Sequence, residues 1–98
     1  LTGKAMSAAD ARHWGLVNRL TQPAGALDGA RALAAEISAN GPLAVRMTKR
    51  IMTESPSWPA AELWERQSDI LEQVIATDDA REGALAFSEK RAPRWTGT

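Results

Sequence analysis

An all-α fold follows from three features of this sequence. Apolar residues recur at steps of three and four along most of its length. Helix-start and helix-stop residues bracket those stretches. Only one short segment, Leu16–Thr21, alternates as a strand would. About five helices and one short extended piece account for the 98 residues. Typical domains run to roughly 100–150 residues, so residues 1–98 are read as one helical domain. A chain of this length buries about two thirds of the surface its unfolded form exposes, which leaves a thin core.

Ser7-Ala8-Ala9-Asp10 opens the first helix. The Ser7 hydroxyl can accept from the amide three residues on, and Asp10 places negative charge in the first turn. Gly15 stops that helix after Trp14, because glycine takes the left-handed conformation of a helix C-terminus without strain. Leu16–Thr21 is an extended segment or a very short strand, and Pro23 and Gly25 punctuate the turn after it.

Leu27, Ala30, Ala34 and Ile37 form the stripe of a second helix. Asn40-Gly41-Pro42 ends it and starts a third, with Pro42 suited to a first helical position. There Leu43, Met47 and Ile51 recur every fourth residue, and the basic Arg46–Arg50 stretch fits an anion site or, as the better reading, a solvated face. Ser55–Pro59 breaks the chain. The fourth helix carries Leu63, Trp64, Ile70, Leu71, Val74 and Ile75 on one broad stripe, interrupted by Gln67. Asp78 and Asp79 suit the N-terminal dipole of the last helix and Lys90 and Arg91 its C-terminal dipole, with Pro93 preventing continuation.

Lys and Arg total 12 and Asp and Glu total 12, so the formal charge is zero. That balance argues against nucleic acid and against a polybasic membrane surface. The chain has no cysteine, no apolar run near the roughly 18 residues of a membrane span, and no signal-peptide pattern. A soluble, cytoplasmic protein is expected. The opening Leu1-Thr2-Gly3 reads as the end of an earlier helix with Gly3 as its stop, which suggests a fragment of something longer.

Catalytic constellations are scarce. His13 has no second histidine or cysteine for a metal site, so no metal is expected. No pair of glutamates stands out for acid–base work, the glycines are scattered rather than gathered in a phosphate loop, and no base lies near a serine or threonine. Trp14, Trp58, Trp64 and Trp95 fit either core packing or an interface with a partner. Gly83, Phe87 and Lys90 fall on one helical face at steps of four and three. Gly83 would admit a close neighbour, Phe87 a flat apolar surface, and Lys90 a positive charge. A ligand with a planar ring and a phosphate would suit them, although spacing alone favours a core phenylalanine and a surface lysine.

Three stretches carry a family resemblance. LTGKAMSAADARHWGLVNRL, NGPLAVRMTKRIM and DDAREGALAFSEKRAPRWTG resemble, in this order, the segment after the catalytic core in the enoyl-CoA hydratase/isomerase (crotonase) superfamily. The similarity covers essentially the whole chain. It implies a parent enzyme that binds acyl-CoA thioesters in a spiral of ββα units, with two backbone amides polarising the thioester carbonyl. In hydratases of the family two glutamates handle the water and its proton. The residues for this chemistry would precede Leu1, so no catalytic residue is assigned and the segment alone is expected to be inactive. The parent would be an enoyl-CoA hydratase of fatty-acid metabolism, with acyl-CoA as substrate and no other cofactor. The resemblance further implies self-association, as a trimer or a hexamer in the parent, and a last helix that closes over CoA. Phe87 and Lys90 match the family's Phe and Lys near the CoA adenosine and phosphates. Lys90 would then contribute about 1.5–3 kcal/mol as a point charge on phosphate. Trp95 stands where Phe is common, and Trp58-Pro59 is not a family feature. The alternative is a stand-alone helical interaction module without enzymatic ancestry.

Overall fold

The structure is a computed structural model that describes residues 2–98. Leu1, the first residue of the opening Leu-Thr-Gly stretch, lies outside the described residues. The chain divides into two compact units, Leu1–Ala35 and Glu36–Thr98.

In the first unit, α1 spans Ala8–His13. Ser7 is its N-cap, and Ser7 Oγ accepts from the Asp10 amide at 3.0 Å. The helix ends in a Schellman motif. The Gly15 amide donates to the Arg12 carbonyl at 3.1 Å and the Leu16 amide to the Ala11 carbonyl at 2.8 Å, with Gly15 at φ +74°. The segment after it forms no strand, and among the described residues there is none. Its backbone is held instead by the Arg12 guanidinium, which donates to the Asn18 carbonyl. A turn closed by the Gly25 amide on the Gln22 carbonyl (2.9 Å) leads into α2, Ala26–Ser38.

The expected stripe on α2 is displaced. Leu27 and Ile37 are exposed, and the face turned to the preceding segment consists of Ala26, Gly29, Ala30 and Leu33, opposite Leu16, Val17 and Thr21. Gly29 decides this. A Cβ at that position would sit 2.6 Å from Thr21 Cγ2, so only glycine lets the chain lie that close.

The second unit holds α3, Pro42–Glu54; α4, Leu63–Ile75; and α5, Asp78–Ser88. Asn40 finishes α2 by donating from Nδ2 to the Glu36 and Ile37 carbonyls at 3.0 and 3.1 Å. Pro42 takes the first helical position of α3, as its missing amide hydrogen permits. Leu43, Met47 and Ile51 are half-buried, while Arg46, Lys49 and Arg50 stay in solvent with Arg50 paired to Glu54 at 3.0 Å. The Ser55–Pro59 break contains one 3₁₀ turn, Ser55–Ser57, and Ala60–Glu62 forms another.

On α4 the single broad stripe resolves into two faces. Leu63, Gln67, Ile70 and Val74, at steps of four, three and four, point inward, and Ile70 is one of the few buried side chains among the described residues. Gln67 belongs to this inner face rather than interrupting it. Trp64, Leu71 and Ile75 are exposed, Trp64 by 74%. The tryptophans therefore divide: Trp14 and Trp64 are exposed, while Trp58 and Trp95 are half-buried. Arg66 lies 5.9 Å above the Trp58 ring, within cation–π range.

Candidate functional site: the last helix and its returning tail

The candidate site is built on α5. Thr77 is its N-cap, with Oγ1 accepting from the Ala80 amide at 3.1 Å. The two aspartates beside it diverge in role. Asp78 pairs with Arg81 on the surface at 2.5 Å, whereas Asp79 is 5% exposed and holds the chain's tail. Its carboxylate accepts from the Thr96 amide (2.7 Å), the Thr96 hydroxyl (3.1 Å) and the Gly97 amide (2.9 Å). Its own amide, unused within the first helical turn, donates to the Thr98 carbonyl at 3.0 Å. The Thr96 amide, first among these donors, holds the Asp79 carboxyl below the ordinary aspartate range.

One turn on, Glu82 receives a bidentate pair from Arg91, at 2.6 and 2.9 Å, and the Arg94 amide at 2.7 Å. Arg91 and then the Arg94 amide lower its pKa to about 2 from an ordinary 4.5. Arg91 also reaches Glu89 at 2.6 Å, and both carboxylates push the guanidinium pKa further up. Trp95 follows in the tail. Its ring lies over Gly41 and Gly83, and its indole N–H donates to the Ala39 carbonyl at 2.8 Å.

These contacts revise two expectations about this helix. Gly83 does admit a close neighbour, but that neighbour is Trp95 of the same chain: a Cβ on Gly83 would stand 3.3 Å from Trp95 Cη2. Lys90 and Arg91 do not form the last helical turn. The helix ends at Ser88, well before Pro93, because the chain reverses in a second Schellman motif. The Lys90 amide donates to the Phe87 carbonyl at 3.3 Å and the Arg91 amide to the Ala86 carbonyl at 3.0 Å. The arginine's charge then goes to two carboxylates rather than to the helix carbonyls.

Lys90 occupies the left-handed position of this motif at φ 53°, the place Gly15 takes at the end of α1. A residue with a Cβ costs on the order of 1 kcal/mol there. Phe87, 87% exposed, is not a core residue, and Lys90 is exposed close after it in sequence. Among the described residues the Lys90 ammonium has no carboxylate partner within ion-pair distance. The arrangement offers a bare aromatic ring and an unpaired cation on a turn fixed by hydrogen bonds. The sequence names Phe87 and Lys90 as candidates, gives Asp79 only a place at the helix dipole, and singles out no role for Glu82. The partners of these two acids lie up to 18 residues away, and nothing local marks them.

Acid should loosen this clasp in a defined range. Because the folded pKa of Glu82 lies below its unfolded value, its contribution is complete above about pH 4.5 and is lost as pH falls toward 2. We expect Glu82→Gln to lower the urea midpoint at pH 6 and to match the unsubstituted protein near pH 2. An equal deficit at both pH values would show that the loss is not electrostatic.

Among the described residues no group of three His, Cys, Asp or Glu side chains could hold a metal ion. No helix there is long and apolar enough to cross a membrane. His13 closes α1 and meets Trp14 edge to face at 5.3 Å.

A sequence model of the enoyl-CoA hydratase/isomerase family matches residues 1–98. Carnitinyl-CoA dehydratase of Escherichia coli K12 is 39% identical over 101 residues, covering 99% of this chain and 39% of the relative. Enoyl-CoA hydratase EchA19 of Mycobacterium tuberculosis H37Rv is 42% identical over 95 residues, covering 97% and 36%. A crystal structure of an enoyl-CoA hydratase from M. tuberculosis H37Rv superposes with a TM-score of 0.95 at 54% identity, over 99% of this chain and 38% of that one. The chain thus spans less than two fifths of the length of these relatives. The family match rules out an interaction module of separate ancestry, and similarity runs through every element from α1 to the tail. The chain belongs to the enoyl-CoA hydratase/isomerase family.

Proposed function

We propose that this chain is the C-terminal, CoA-capping and oligomerising part of an acyl-CoA-processing enzyme, an enoyl-CoA hydratase that adds water to 2-enoyl-CoA thioesters. The observation that carries the reading is the exposed Phe87 beside an unpaired Lys90 on a strained turn. Strain of this kind persists where function uses it. Phe87 lies against the adenosine or other apolar surface of CoA, and Lys90 meets its phosphate. The catalytic residues belong to the part of the parent protein that relatives carry and this chain does not span, so the 98 residues alone are inactive.

The test is Lys90→Glu in the parent protein. A charged hydrogen bond to phosphate is worth about 1.5–3 kcal/mol, so KM for acyl-CoA should rise roughly 10- to 100-fold with kcat little changed. An unchanged KM would leave Lys90 as a turn residue without a ligand.

The oligomerising role rests on the outer face of α4 and on α5. Trp64, Leu71, Ile75 and Leu85 are all exposed large apolar side chains, of the kind that mark interaction surfaces when they lie together. The isolated chain should therefore self-associate, in an order that need not match the trimer or hexamer proposed for the parent. Sedimentation equilibrium would return a mass that climbs with concentration; a constant monomer mass contradicts the proposal.

A further inference from the structure

We propose that Arg91 is a positioning residue for Lys90: it draws Glu82 and Glu89 to itself, holds the turn after α5, and leaves the Lys90 ammonium free for an anionic phosphate. The inference rests on the CoA-capping reading above and names the device behind it.

Three observations carry it. The chain ends two helices with the same Schellman hydrogen bonds, yet it places glycine in the left-handed position of the first and lysine in that of the second. A turn chosen only for stability would use glycine both times. The second observation is the company Lys90 keeps. Glu89 is its immediate neighbour in sequence, and Arg91 Nε holds that carboxylate at 2.6 Å. The third is the anchor. Glu82 binds Arg91 through both carboxylate oxygens while also accepting the Arg94 amide, so the residues on the far side of Lys90 are tied back to the helix body. A planar fork with several donors can hold two carboxylates at once, which an ammonium on a flexible stem does poorly. With Arg91 absent, Glu89 is released beside Lys90 and neutralises it.

The experiment compares acyl-CoA kinetics of the parent protein with Arg91→Gln, Arg91→Gln/Glu89→Gln, Arg91→Lys and Lys90→Gly. Arg91→Gln should raise KM by about fivefold at unchanged kcat, the scale of one exposed ion pair. Adding Glu89→Gln should lower KM at least half of the way back, since the competing carboxylate is gone and only the tie to Glu82 stays lost. A purely structural role for Arg91 would not be rescued in this way, and failure of the rescue overturns the inference. Arg91→Lys keeps the charge but not the fork and should give a smaller rise, again reduced by Glu89→Gln. It serves as the readout should Arg91→Gln not fold. Lys90→Gly separates the two levels of argument. If it leaves KM unchanged, the CoA-capping reading itself fails. If it raises KM while Arg91→Gln and Arg91→Lys do not, the capping reading stands and the positioning role falls.

Discussion

Trp95→Ala should destabilise the protein by about 2–3 kcal/mol, below the 3–5 kcal/mol of a fully buried aromatic because the ring is only half-buried. Its ring closes over Gly41 and Gly83, two positions where the lack of a side chain makes room for an indole. Removing it opens a cavity that the surrounding backbone cannot collapse to fill. Trp95→Phe isolates one part of that loss. Phe keeps most of the apolar contact but cannot donate to the Ala39 carbonyl, so it should cost about 1 kcal/mol. Urea denaturation of the three proteins gives the comparison. A Trp95→Phe variant as unstable as Trp95→Ala would mean that the hydrogen bond, not the packing, seats the tail.

The second large effect is expected at Asp79. Three donors from Thr96 and Gly97 converge on a carboxylate that water hardly reaches. Asp79→Ala leaves them without an acceptor and frees the tail that carries Trp95. The melting temperature should fall by on the order of 10 °C. Asp79→Asn, which keeps one carbonyl oxygen, should fall by less. Since Asp79 and Trp95 hold the same segment, their losses should not add. Once the tail is free, the second substitution has little left to remove. Additive losses in the double variant would show that the two contacts act independently, against the single-latch description.

Much of this architecture is legible in the sequence because helix ends are local chemistry. The Ser7 cap, the Gly15 stop and Pro42 at the first turn of α3 each depend on residues within five positions, and each forms as read. Periodicity identified the helices but not always their inner faces. Steps of three and four place residues on a cylinder, and what touches that cylinder is settled by its neighbours. On α2, Gly29 brings the chain across a face without large side chains and leaves Leu27 in solvent. On α4, the half-buried Gln67 and the bare Trp64 reverse what hydrophobicity alone suggests.

The candidate site divides along the same line. Phe87 and Lys90 stand out in the sequence as an aromatic and a cation near the end of the chain. Their setting does not, because the groups that create it come from beyond the local turn: Glu82 reaches Arg91 nine residues on and Asp79 reaches Gly97 eighteen residues on.

By itself, then, the sequence determined an all-α chain of this family, the positions of its helices, and the two residues proposed to meet CoA. The stop at Ser88 and the left-handed turn at Lys90 are local, but no glycine marks them; only the tertiary structure decided that the tail folds back onto Asp79, Glu82 and Gly83. The reason is range. Caps and periodic stripes are set by bonds spanning a few residues, whereas the returning tail is held by contacts whose partners become neighbours only once the chain has folded.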